Sequence, residues 1–67
     1  MSASNNNSLS NGTAVRRARL DAGLSQLQLA LRAGISRWRL RLAEQGFCKL
    51  RRGELWRIRR VLERSHA

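Results

Sequence analysis

A chain of 67 residues and 7.6 kDa has room for one small domain, and its 14 Lys+Arg against 4 Asp+Glu give a formal net charge of +10. No stretch approaches the roughly 20 apolar residues of a membrane span, and the first residues lack the charged and apolar segments of a signal peptide. The single cysteine, Cys48, can neither close an intrachain disulfide nor build a thiolate zinc site, so a reducing cytoplasm is expected and no metal or cofactor. An enzyme is not expected either, because so small a chain rarely encloses a substrate cleft. A basic binding module remains, and its counterpart is a polyanion. Thirteen of the cations are arginine and only Lys49 is lysine. Guanidinium is the planar, forked donor that matches a phosphate or a guanine edge.

In chain order, residues 1–12 are rich in Ser and Asn, and Leu9 is their one large apolar side chain. They cannot bury enough surface to offset the entropy of ordering and read as a disordered, uncharged tail, leaving 13–67 as the domain. Thr13 is expected to cap a first helix over Ala14–Ala22, with Val15, Ala18, Leu20 and Ala22 as its apolar surface. Ser25 caps a second over Gln26–Ala33, and Ser36 a third over Arg37–Gln45. A last helix runs from about Glu54 to Arg64, with Leu55, Ile58, Val61 and Leu62 at helical spacing. Gly23, Gly34, Gly46 and Gly53 each follow a helical stretch, where glycine takes the left-handed cap conformation. Between Gly46 and Gly53 the sequence leaves a short helix or a loop open.

The alternation of Leu27, Leu29 and Leu31, and of Trp38, Leu40 and Leu42, has the period of a β-hairpin. Composition opposes it. These segments are built of Leu, Gln, Arg and Ala, which favour helix, and β-branched residues are nearly absent.

From Ser25 the chain runs Ser25-Gln26-x-x-Leu29-Ala30-x-x-Ala33-Gly34-Ile35-Ser36-x-x-x-Leu40-x-x-x-Glu44-x-Gly46. This resembles the helix-turn-helix of the Cro and phage-repressor (xenobiotic-response-element) family, and the resemblance extends from about Val15 to Leu62. It implies an all-α, λ-repressor-like domain of four to five helices, with the helix-turn-helix at about 25–45. Ala30 is small where the second helix crosses the third, Gly34 permits the turn, Ile35 fills the angle between the helices, and Leu40 with Ala43 anchors the third.

The resemblance implies that the outward face of the third helix enters the major groove of double-stranded DNA. Its candidates for base contact are Ser36, Arg37, Trp38, Arg41 and Leu42. Arg37 can place two donors on guanine O6 and N7. Trp38 and Leu42 depart from the polar residues usual there. They cover thymine methyls, or Trp38 turns aside and packs on the sugar–phosphate backbone, or the two belong to a protein contact. For phosphate, the candidates are Gln26 at the start of the second helix, then Gln45, Lys49, Arg51 and Arg52 after the third. Arg16, Arg17 and Arg39 are weaker candidates, and Arg57, Arg59, Arg60 and Arg64 either touch phosphate or solvate the last helix. Arg19 and Glu44 are expected to form an ion pair, since the family pairs these positions and a free carboxylate beside a DNA-facing surface would repel phosphate. Trp56 is either shared across a homodimer interface or an edge-of-core residue. Leu27 and Leu31 fall outside the core stripe, available to Leu9, to a partner, or simply tolerated. Cys48 and His66 carry no assigned role.

The function expected is a sequence-specific transcription regulator in the cytoplasm, a repressor acting as a homodimer on a palindromic operator, of the kind found in phages and mobile elements, with no small-molecule effector evident. The alternative is a small basic structural RNA-binding protein of ribosome-associated type. It would need an aromatic platform to stack unpaired bases, and only Trp38, Phe47 and Trp56 are present. A membrane-active basic peptide is disfavoured by the glycine-capped, multi-helix pattern.

Overall fold

The computed structural model describes residues 11–65, and the expectations placed on residues 1–10, including Leu9, and on His66 lie outside them. Four helices follow in order: α1 (Gly12–Asp21), α2 (Gln26–Ala33), α3 (Arg37–Glu44) and α4 (Arg52–Ser65), with no strand among the described residues. The hairpin is thereby excluded, and the all-α reading stands.

Local chemistry sets most of the boundaries. Ser25 caps α2 in a complete capping box: its hydroxyl accepts from the Gln28 amide at 3.0 Å, and the Gln28 side chain accepts from Ser25 N–H at 2.9 Å. The Ser36 hydroxyl accepts from Arg39 N–H at 3.2 Å at the start of α3. Helices α1 to α3 end alike. Gly23, Gly34 and Gly46 have φ of 73°, 70° and 87°, and the next residue's N–H (Leu24, Ile35, Phe47) returns to the carbonyl of Arg19, Ala30 or Leu42. This is the left-handed glycine cap that satisfies the last carbonyls.

Three expectations are corrected. Thr13 is not the cap of α1. Asn11 is, its side chain accepting from Ala14 N–H at 2.9 Å, so the helix begins inside the segment expected to be tail. Leu20 does not join the core and is half exposed. At about 100° per residue, Val15, Ala18, Arg19 and Ala22 share the inner side, and Leu20 is turned away. Gly53 ends nothing: it lies in the first turn of α4, which starts at Arg52 because Glu54 accepts from Arg51 N–H at 2.6 Å. The segment from Gln45 to Arg51 is loop.

Helix α2 packs on α3 and α4, and α1 packs on α3. Val15, Leu24, Leu29, Ala30, Ala33, Leu40, Ile58 and Leu62 form the buried cluster, with Ile35, Leu50, Leu55 and Val61 against it. The inner faces of α2 and α3 are thus fixed, which leaves their outer faces to solvent.

Candidate nucleic-acid interface

Because Leu40, Ala43 and Glu44 turn inward, Arg37, Trp38 and Arg41 turn out. Trp38 is 63% exposed, and the Arg41 guanidinium lies 6.0 Å from its ring centroid, within cation–π range. Leu42 is half-buried, and Gln45 is exposed at the C-cap. Ser36 spends its hydroxyl oxygen on the cap, and the residue itself is exposed.

Two ion pairs position this face. Arg19 Nε and Nη2 donate to the two oxygens of Glu44 at 2.8 and 2.9 Å, and Arg19 Nη1 donates to the Leu24 carbonyl at 2.9 Å. With side chains only 8% and 1% exposed, the pair is buried, and the bidentate geometry with further hydrogen bonds is what makes such burial tolerable. Gln26 Nε2 adds a third donor to Glu44 at 3.0 Å. The Gln26 amide therefore reaches inward, and one N–H and its carbonyl oxygen remain for an outside group. This cluster joins the start of α2 to the end of α3.

Arg39 makes the second pair, and the sequence reading missed it. Its Nε and Nη2 donate to the two oxygens of Glu54, and Nη2 also donates to the Lys49 carbonyl at 3.1 Å. Hydrogen bonding to Arg39 is the main cause that holds the Glu54 carboxyl below its ordinary range, with the Arg51 N–H adding to it, against the opposing cost of desolvation. The same bond raises the Arg39 guanidinium above its ordinary value. Arg39 is thus a brace and not a free phosphate donor: it ties the basic loop and the start of α4 to α3. The available signal was Glu54 at the third position of a helix, the acid of a half capping box, in a chain with only four acids.

The loop so held carries Lys49 and Arg51, and Arg52 opens α4; all three side chains are exposed. Arg16 and Arg17 are exposed on α1. The structure therefore brings Arg37, Trp38 and Arg41 onto one face, with Gln26 near one end of α3 and the loop tied to Arg39 in its first turn. Trp56 is apart from them, 60% exposed and stacked by Arg60 at 5.2 Å. It borders a hollow of about 230 Å³ between α2 and α4, with Arg32, Arg57, Arg60 and Arg64 on its walls. Leu27 and Leu31 are exposed on α2.

No helix among the described residues is long and apolar enough to cross a membrane, and no group of His, Cys, Asp or Glu among them could hold a metal ion. No curated protein and no solved structure matches the chain. A sequence model of the helix-turn-helix family matches residues 15–67, the span that includes α2, the Gly34 turn and α3. The chain belongs to the helix-turn-helix family of Cro/C1 type, and it is a DNA-binding domain of a transcription regulator.

Proposed function

We propose that the protein is a repressor that binds a palindromic operator as a homodimer and occludes a promoter. In this reading α3 lies in the major groove, with Ser36, Arg37, Trp38, Arg41 and Leu42 toward base edges. Gln26, Gln45, Lys49, Arg51 and Arg52 lie along the sugar–phosphate backbone. The observation that carries it is charge disposition: two of the four acids, Glu44 and Glu54, are each held by an arginine, so the exposed face of α3 and the following loop keep their positive charge. A helix-turn-helix dimer reads half-sites about 34–36 Å apart, and Trp56 is the exposed aromatic offered to the second copy.

Contacts to bases and contacts to phosphate separate by mutation. Arg37→Ala costs about 1–3 kcal/mol on the operator and relaxes the preference at one base pair. Arg51→Ala or Arg52→Ala weakens operator and random duplex alike, since phosphate contacts position without reading sequence. Footprinting on the DNA flanking its own gene, followed by titration of both duplexes, provides the measurement. Equal losses on both duplexes for Arg37→Ala overturn the placement of α3, and protection of one unpaired half-site overturns the dimer.

A further inference from the structure

The face of α3 carries two apolar side chains that the reading of guanine and phosphate leaves unused. Trp38 and Leu42 are four residues apart and so share one side of the helix. Trp38 is 63% exposed, and Leu42 is half-buried beside it. An indole offers one N–H donor and no acceptor, and leucine offers neither, so this pair cannot replace the bidentate side chains that recognise bases by hydrogen bonds. Only one apolar group protrudes from a base pair into the major groove: the methyl on C5 of thymine. Trp38 is the second residue of α3, in the N-terminal part that contacts base edges when such a helix docks. Arg41 already stacks over one face of the indole at 6.0 Å. That holds a guanidinium beside the ring, and Arg37 flanks it in sequence. A guanine contact and a methyl contact are therefore adjacent on the same surface.

We propose that Trp38 and Leu42 read C5-methyl groups in the major groove beside arginine-bound guanine, so that the preferred site contains a pyrimidine–guanine step whose pyrimidine is thymine or 5-methylcytosine. This rests on the DNA-facing placement of α3 proposed above and adds to it the chemical class of base that is read. Cytosine methylated at C5 presents the same methyl at the same ring position as thymine. A site in which a TG step is changed to CG thus loses affinity when unmodified and recovers it on methylation.

The test begins with selection of binding sites from random duplex. Affinities are then compared for the selected site, the same site with uracil for thymine in the half-site, and the TG-to-CG site with and without C5 methylation. Each lost methyl is expected to weaken binding about fourfold, the equivalent of the ~0.8 kcal/mol that one buried carbon of this kind contributes. Trp38→Ala binds more weakly and no longer distinguishes thymine from uracil. Because Trp38 is largely solvent-exposed, that variant keeps the melting behaviour of the parent, and Leu42→Ala gives a second, independent readout. Equal affinity for thymine and uracil sites, or the same uracil penalty in both variants as in the parent, overturns methyl reading while specific DNA binding stands. Failure of any duplex to be enriched overturns the DNA-facing placement itself.

Discussion

Glu44 is the residue on which three elements depend. It receives Arg19 from α1 and Gln26 from α2 while belonging to α3. An exposed pair contributes about 0–1 kcal/mol, but removing one partner of a buried pair strands the other charge and costs about 3–5 kcal/mol. A domain of this size has only about 3–8 kcal/mol in total. Glu44→Ala is therefore expected to unfold a large fraction of the protein, and a double-mutant cycle with Arg19→Ala to show coupling well above 1 kcal/mol by denaturant melts. Additive effects would mean that the pair holds nothing. Glu54 makes a different prediction, one of pH. Its carboxyl titrates lower in the folded chain than in the unfolded one, so its stabilising effect is full above the ordinary glutamate value of about 4.3. That effect fades as pH falls through the lowered folded value. Glu54→Gln should flatten the acid limb of the stability–pH curve, and a curve that keeps its full slope in the variant would remove Glu54 as a source of it.

At the scale of elements, the crossing of α1 over the end of α3 depends on the absence of a side chain. A Cβ at Gly12 would collide with the carbonyl group of Ala43 and come within 3.0 Å of the Glu44 Cα. The obstacle is backbone and cannot rotate away. Gly12→Ala adds helix propensity in α1 but forces the two helices apart at the residue that precedes Glu44. The clash outweighs the propensity of about 1 kcal/mol, and a net loss of about 1–3 kcal/mol is expected, in line with other overpacked sites. Thermal melts of Gly12→Ala against Gly53→Ala make the comparison. Gly53 is also in a first helical turn, but nothing lies within 4 Å of its added Cβ. A Gly12→Ala variant as stable as the parent would show that α1 does not approach α3 this closely.

For the whole molecule the governing fact is a net charge of +10 around a small core, in which, among the described residues, nine apolar side chains are buried and three of them are alanines. The hollow beside Trp56 has four arginines on its walls, Arg32, Arg57, Arg60 and Arg64. None of them is paired with a carboxylate among the described residues. A second copy docking there brings like charges together, so self-association through Trp56 is expected to strengthen as added salt screens the repulsion. DNA binding runs the opposite way, because neutralising phosphates releases counterions and log K falls with log salt. Sedimentation and duplex titration over one salt series test both slopes. A dimer that weakens with salt would place its interface elsewhere. The helix-turn-helix assignment was legible in the chain because Ser25, Ala30, Gly34, Ile35, Ser36 and Leu40 each act over a few residues. The Arg39 brace was not legible, since its partners, Lys49 and Glu54, are 10 and 15 residues away and no family pairing marks them, as one marks Arg19 and Glu44 across 25 residues.

The sequence by itself determined where α2 begins and ends and where α3 begins, which sides of α2, α3 and α4 are apolar, and that the protein faces a polyanion. Those properties follow from caps, periodicity and net charge, all of which are local or additive. Only the tertiary structure decided that Asn11 rather than Thr13 caps α1, since the start of that helix lies where Gly12 meets the Ala43 backbone of α3, a contact that no local pattern shows. It likewise decided that Arg39, one arginine among thirteen, is held by Glu54 while Arg37 and Arg41 on the same helix remain exposed. An arginine's role is set by which carboxylate the fold carries to it, and the crossing of distant helices is not written in the spacing of either.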